Sequence, residues 1–287
     1  MTDRAVAVVR AGALTTVQDL GRAGYAHLGV PRSGALDPAA VRLVNRLVGN
    51  AGTAAVLETT VTGCALRPRC AVTVAVGGAP CPVRVDGRPA AWGTAVRVAA
   101  GAVLEIGAAV RGLRSYVALG GGIEVAPVLG SRSTDLLSGL GPEPLADGTV
   151  LPLGADTAVR GPVDAPPWPG PPDTLVLRLR LGPRDDWFTP AALRTLATRA
   201  YRVSGASNRI GLRLEGPPLE RAEPGELASE GMVLGAVQVP PDGLPVVFLA
   251  DHPTTGGYPV VGVVAEADLG AAAQAVPGAA VRFVPTR

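Results

Sequence analysis

The chain holds only two histidines, His27 and His252. Nucleophilic hydrolysis would need one of them as base, beside a Ser or Cys and an orienting acid. No GxSxG elbow, HExxH run or CxxC pair accompanies them. A triad or a metal centre is therefore not the expected chemistry, and no metal site is assigned. Three polar, glycine-rich runs carry more. The first is Thr15-Thr16-Val17-Gln18-Asp19-Leu20-Gly21-Arg22, continuing to Gly29-Val30-Pro31-Arg32-Ser33-Gly34-Ala35-Leu36-Asp37. It sets amide, carboxylate, guanidinium and hydroxyl groups ahead of a helix start, an arrangement suited to holding an anion or a polar ligand. Asp37 also reads as a plain N-cap, and Arg22 as half of a structural ion pair.

The second run joins Ser229-Glu230-Gly231 to Gly235-Ala236-Val237-Gln238-Val239-Pro240-Pro241-Asp242-Gly243. Pro240 to Gly243 reads as a hairpin turn. Gln238, an amide inside an apolar run, needs partners if buried, and a ligand amide is one candidate. The third is Asp251-His252-Pro253-Thr254-Thr255-Gly256-Gly257-Tyr258-Pro259. There an apolar strand ends in a carboxylate, two hydroxyls, two glycines and a tyrosine. Strand-end loops are where rigid scaffolds carry sites, and glycines let backbone N–H groups converge on an anion. A simple Gly-Gly hairpin is the alternative. Gly120-Gly121-Gly122 follows a strand without opening a helix, so it reads as a tight turn and not a dinucleotide fingerprint.

These runs must be positioned by short β-elements. Strands are expected at 5–10, 56–61, 72–76, 83–85, 96–98, 103–106 and 116–119, with Asp86-Gly87 as a hairpin turn. One helix is expected from Pro38 to Val48, with Asp37 as N-cap, Pro38 at the first position and Gly49-Asn50 as the stop. The proline-crowded stretch 161–173 reads as a linker. It separates an N-terminal lobe, 1–165, from a C-terminal lobe, 166–287. In the second lobe strands are expected at 175–181, 233–239, 246–250, 258–264 and 281–284, with helices near 190–198 and 267–275. The fold class is mainly β: two β-rich lobes with a few short helices.

Composition narrows the function. All 26 basic residues are arginines, against 24 acids, for a net charge of +2. Without lysine there is no Schiff base, no phosphate-loop lysine and no biotin attachment on this chain. The balanced charge and 3% aromatic content argue against a nucleic-acid surface. No apolar run approaches a membrane span, and the start Met1-Thr2-Asp3-Arg4 leads into too short an apolar run for a signal peptide. Cys64, Cys70 and Cys81 lack metal-type spacing and read as reduced thiols. A cytoplasmic protein is expected.

Taken together, TTVQDLGR, GVPRSGALD, the segment Asn45 to Glu58, Gly121 to Thr134, SNRIGLRLEG, SEG, GAVQVPPDG and TTGGYP resemble, nearly end to end, a known family. It is the carboxyltransferase subdomain A and B family, also described as allophanate hydrolase subunit 2. Its members include the C subunit of bacterial 5-oxoprolinase, the matching part of urea carboxylase and the antagonist of a sporulation-kinase inhibitor. One departure is His252-Pro253, where many members carry Gln before the two threonines.

The resemblance implies cyclophilin-like β-barrel lobes and a partner of the subunit-1 type (subdomains C and D, the 5-oxoprolinase B subunit). It implies a third, hydrolytic subunit and a small amide or lactam substrate. It further implies ATP used by the complex, or biotin carried on another protein. The free-standing chain looks most like the 5-oxoprolinase C subunit, and so implies ATP-dependent opening of 5-oxo-L-proline to L-glutamate. A biotin-dependent urea or amide carboxyltransferase and a non-catalytic regulator are the alternatives. On that reading Asp251 is the catalytic group, accepting from the substrate N–H or acting as a base. Thr254, Thr255, Gly256 and Gly257 hold a phosphate or carboxylate, and Tyr258 and Gln238 orient the ring. Ser33, Gly34 and Arg22 close the other side, while Asn208 and Arg209 contribute from the second lobe.

Overall fold

A computed structural model describes residues 4–156, 168, 170–223, 225 and 227–286. It divides into two compact units. The first comprises residues 1–22, 37–135 and 139–171, and the second residues 23–36, 136–138 and 172–287. Most of the proline-rich stretch, 161–167 and 169, lies outside the described residues.

In the first unit, six strands form one sheet in the order Val150–Pro152, Ala5–Arg10, Ala65–Pro68, Leu104–Ile106, Val83–Val85, Arg88–Ala90. Five form another, ordered Leu14–Gln18, Val56–Thr60, Arg114–Leu119, Val72–Gly78, Ala95–Val98. Val6, Val8, Leu57, Leu66, Val74, Leu104, Ile106 and Val117 pack into one apolar cluster in this unit, with the period-two alternation expected of sheet faces. Asp86-Gly87 makes the anticipated turn. Both residues have positive φ, 48° and 74°, and Val83 pairs with Ala90, the backbone a two-residue hairpin requires.

Helix α1, Pro38–Val48, forms where its caps predict. Ala40 N–H donates to Asp37 Oδ1 at 3.0 Å, and Gly49 adopts φ 76° to close the C-terminus. It buries Val41, Val44, Leu47 and Val48 against strands Val72–Gly78 and Arg114–Leu119. Asn45 and Asn50 then finish the connection: Asn45 Nδ2 donates to the Ala54 carbonyl, Asn50 Nδ2 to the Leu119 carbonyl, and Gly121 N–H to Asn50 Oδ1. Asn45 and Asn50, within the segment Asn45 to Glu58, thus tie α1 to the strands it covers.

The second unit is built on a closed barrel of seven strands. They run in the order Thr174–Leu181, Val260–Val264, Ala236–Gln238, Val246–Phe248, Gly211–Glu215, Tyr201–Val203, Ala280–Thr286. The ring closes by parallel pairing of its first and last members, from Thr174 with Ala280 to Arg180 with Thr286. The Leu–Arg alternation of Thr174–Leu181 explains its orientation: Leu175, Leu177 and Leu179 are buried, while Arg178 and Arg180 face outward. Helix α2, Pro190–Thr198, packs on strand Ala280–Thr286, and α3, Glu266–Ala272, packs on Thr174–Leu181.

Several boundaries differ from the periodicity. Leu14–Gln18, within the run expected to be a loop, is a strand paired with Val56–Thr60. The strand anticipated over 233–239 shortens to Ala236–Gln238, because Ala236 N–H turns back to the Val233 carbonyl and Gly235 sits at φ 81°. Pro259 has no N–H to give a ladder, and the strand anticipated from Tyr258 begins at Val260. α3 ends at Ala272, three residues before its expected stop.

Candidate functional site

Asp251 lies just past strand Val246–Phe248 and is completely buried. Its Oδ1 accepts from Ser33 Oγ at 2.8 Å and from Arg209 Nη2 at 3.0 Å. Its Oδ2 accepts from Arg209 Nε at 2.8 Å and from the Leu136 N–H at 3.3 Å. Arg209 therefore grips the carboxylate in the bidentate geometry a guanidinium favours, and its Nη2 also donates to the Gly34 carbonyl at 2.7 Å. Ser33 is held from both sides, since its N–H donates to the Ala250 carbonyl at 3.0 Å. It sits at φ 52° and Gly34 at φ 94°. A left-handed serine is uncommon, and here the three bonds at 33–34 over-determine it.

Asp251, expected as the catalytic group, carries four donors on its two oxygens. A base needs an acceptor position facing the substrate proton, and here each oxygen already takes two bonds. The carboxylate works as a clamp that gathers segments 33–34, 136 and 209 onto the end of one barrel strand. Arg209 belongs to that clamp. Asn208 Oδ1 accepts the Ile210 and Gly211 N–H groups at 2.9 and 3.2 Å, an Asx turn of its own loop.

Beyond Asp251 the chain turns outward into Thr254-Thr255-Gly256-Gly257-Tyr258. Thr255–Gly256 pairs with Glu230–Gly231 rather than folding into a Gly-Gly hairpin of its own. Met232 N–H donates to the Thr254 carbonyl at 2.8 Å. Gln238, buried in its barrel strand, sends Nε2 to the Tyr258 carbonyl at 3.2 Å. A Cβ on Gly256 would stand 2.6 Å from that same nitrogen, so glycine is required for Gln238 to reach the loop. The structure thus brings the buried Gln238 together with Thr254, Thr255, Gly256, Gly257 and Tyr258, a polar edge on which Thr255 and Tyr258 are exposed and the rest half-buried. Arg184 forks onto Glu230 beside it, and that hydrogen-bonded partner holds the Glu230 carboxyl below its usual range. His252 lies flat against Phe248, ring centroids 6.0 Å apart.

Arg22 is engaged inside the first unit, where its Nη1 also stands 3.9 Å from Asp135 Oδ2. Its Nη2 donates to the Ser133 carbonyl at 2.5 Å and its Nε to the Val128 carbonyl at 3.4 Å. Next to it Asp19 forms a second buried carboxylate node. Asp19 Oδ1 accepts from Ser131 Oγ and Ser133 Oγ, each at 2.6 Å, and from the Gly21 N–H; Oδ2 accepts from the Arg132 N–H at 2.6 Å. The roles of Ser131 and Ser133 were not anticipated. Their hydroxyls in the run GSRS, facing an acid more than a hundred residues earlier, gave no local signal.

A third buried group lies at the start of α1, also in the first unit. The Tyr116 hydroxyl accepts the Asp37 N–H at 2.9 Å and bonds Glu58, and burial with these two carboxylates pushes its phenol well above the ordinary value. Burial also lifts the Asp37 carboxyl. In the Gly120–Gly122 turn the three N–H groups go to the Thr73 carbonyl, Asn50 Oδ1 and the Leu119 carbonyl, so it offers no phosphate cradle.

Comparison with known proteins agrees with this architecture. Residues 28–285 match the family described as carboxyltransferase domain, subdomain A and B. The chain is 38% identical to the C subunit of 5-oxoprolinase from Escherichia coli over 283 residues, covering 96% of this chain and 90% of that one. Among solved structures, it superposes on TTHA0988 with a TM-score of 0.89 at 38% identity, spanning 98% of this chain but 56% of that one. On the Kluyveromyces lactis urea amidolyase the TM-score is 0.92 at 31% identity, spanning all of this chain and 19% of that one. The chain belongs to the carboxyltransferase subdomain A and B family.

Proposed function

We propose that this chain is the C-type subunit of an ATP-dependent 5-oxoprolinase that opens 5-oxo-L-proline to L-glutamate with partner subunits. One observation carries the reading. The similarity to the C subunit of the E. coli 5-oxoprolinase runs through nearly the whole of both chains, whereas the urea-processing relative contains this fold as a minor part of a much longer polypeptide. The partners are a subunit-1-type chain and a third, hydrolytic subunit. ATP supplies a phosphoryl group to the lactam carbonyl oxygen. ADP leaves, one water adds at that carbon, and the ring C–N bond breaks with a proton going to nitrogen, leaving an acyl phosphate that a second water hydrolyses to the carboxylate and free phosphate.

In this scheme the edge formed by Thr254, Thr255, Gly256, Gly257 and Tyr258 receives the substrate carboxylate or the transferred phosphate through hydroxyl and backbone N–H donors. Gln238 holds the edge in shape. Asp251, with Arg209, Ser33 and Gly34, sets the position of that edge without exchanging a proton with the substrate. ATP finds no cradle in the Gly120–Gly122 turn, whose N–H groups are all used, so nucleotide binding falls to the partner chains. No helix among the described residues is long and apolar enough to cross a membrane, and the complex acts in the cytoplasm.

A second reading, the carboxyltransferase part of a biotin-dependent urea or amide carboxylase, draws on the superposition with urea amidolyase. With no lysine in the chain, the biotin would ride on another protein. Co-expression with a subunit-1-type partner and the hydrolytic subunit separates the two. ATP cleavage that depends on 5-oxoproline and ignores avidin is expected. Urea-dependent, avidin-sensitive cleavage would favour the second reading, and tight complex formation with neither activity would favour a regulator.

A further inference from the structure

The polar edge 254–258 rejoins the barrel at its later end, where Val239 N–H donates to the Pro259 carbonyl at 3.0 Å and strand Val260–Val264 follows at once. Its middle, Thr255–Gly256, pairs with Glu230–Gly231 in a two-stranded sheet separate from the barrel, Glu230 facing Gly256 and Gly231 facing Thr255. Two residues a side are too few to keep such a ribbon ordered in water. Its order must come from whatever fixes the strand Glu230–Gly231. Just past one end of that strand, Met232 is buried in a cluster with Ala236, Val246, Phe248 and Val260. At the other end stands Glu230.

The partner of Glu230 is Arg184. Its Nε donates to Glu230 Oε1 at 3.0 Å and to Oε2 at 3.1 Å, and its Nη2 donates to Oε1 as well. Two nitrogens on one carboxylate fix direction as well as distance. Arg184 is in turn fixed by main chain. Its own N–H donates to the Val260 carbonyl at 3.0 Å, and the Gly182 N–H donates to the Val261 carbonyl at 3.1 Å. Segment 182–184 is thereby stapled to the strand that follows the edge, and one side chain carries that anchorage across to the strand the edge pairs with. All of these residues lie in the second unit. The two side chains are 36% and 26% exposed, and a pair so placed adds little to the stability of a whole domain. Its leverage is local.

We infer that Arg184 is a positioning residue for the edge 254–258, acting through Glu230 to hold Thr255 and Gly256 where their hydroxyl and N–H donors receive the anionic group of the substrate. Arg184 touches no substrate in this role. The inference rests on the reading of that edge as the substrate's seat, and it deepens that reading by naming what sets the shape of the seat. Without the fork, Thr255–Gly256 opens more often, because local order follows the few contacts that hold a short segment. A seat that must first be ordered binds more weakly. Lysine at 184 keeps the charge and loses the fork.

Hydrogen exchange in the full-length chain tests the tie directly. The Met232 N–H, which donates to the Thr254 carbonyl, reports on the ribbon, and the Gly243 N–H, which donates to the Pro240 carbonyl, reports on an unrelated turn of the same unit. Arg184→Gln and Glu230→Gln should each speed exchange at Met232 about threefold, the scale of a partly exposed ion pair, and leave Gly243 unchanged. The double variant should exchange no faster than either single one, since both remove the same tie. In the co-expressed complex, Arg184→Gln should raise KM for 5-oxoproline about threefold with kcat kept, the signature of lost binding and not of lost chemistry. Arg184→Lys should recover part of that loss. Unchanged exchange at Met232, equal acceleration at Gly243, multiplied effects in the double variant, or an unmoved KM would overturn the proposal. The assignment of 5-oxoprolinase activity fails separately, if the wild-type complex ignores 5-oxoproline, and exchange at Met232 in the isolated chain still decides whether Arg184 holds the edge.

Discussion

Asp19 in the first unit and Asp251 in the second are both buried carboxylates with four donors each, yet they are satisfied by different chemistry. Asp19 takes two serine hydroxyls and two backbone amides. Asp251 takes one hydroxyl, one amide and the fork of Arg209. The arginines differ in the same way. Arg209 forks onto its carboxylate, while Arg22 donates to the Ser133 and Val128 carbonyls and meets its carboxylate, Asp135, only at 3.9 Å. The contrast separates a bidentate clamp from a looser ion pair. A buried charge pair closed on itself has nothing left to offer a ligand, and its worth lies in holding segments together.

The comparison is broken most severely at Asp251. Asp251→Ala leaves Arg209 buried and uncompensated, and urea unfolding should show a loss of about 3–5 kcal/mol. Asp19→Ala removes an acceptor from neutral donors, some of which can re-pair with water, so a smaller loss of about 1–3 kcal/mol is expected. Equal losses at the two positions would erase the distinction between charge-paired and neutral nodes.

Tyr116→Phe in the first unit deletes the acceptor of the Asp37 N–H and the bond to Glu58. It should cost about 1 kcal/mol, read as reduced protection of the first turn of α1 in hydrogen exchange. The smallest effect should come from the exposed pair Arg184–Glu230 in the second unit. Glu230 titrates below its usual 4.5 when folded, so its ionised form favours the fold. That contribution is present above the unfolded value and is lost as pH falls through the lowered folded value. Glu230→Gln should therefore differ from wild type in stability at neutral pH and converge with it in acid below that value. A difference that persists there would mean the side chain acts through packing instead of charge.

Local signals were legible wherever a few neighbouring residues settle the geometry. Asp37-Pro38 with Gly49 specified α1, Asp86-Gly87 a hairpin, and Pro240 to Gly243 a turn whose Gly243 N–H reaches the Pro240 carbonyl. The polar runs also stood out as candidates. What each carboxylate does within them did not. In isolation Asp251 at the end of an apolar strand looks like an available base. Nothing in its own run reveals that Ser33, 218 positions away, and Arg209 will close on it.

By itself the sequence settled which groups exist: arginine as the only basic side chain beside the two histidines, two histidines too isolated to build a triad, and a motif set specific enough to mark the family. Tertiary structure alone decided which of those groups remain open. Spacing along a chain constrains contacts only over a turn or a hairpin. The partners of a buried charge are chosen by the closure of a barrel and the return of distant segments, and those are set by packing of the whole unit. The consequence is concrete. Asp251 is held by Arg209, Ser33 and Leu136, partners 42, 218 and 115 positions away along the chain.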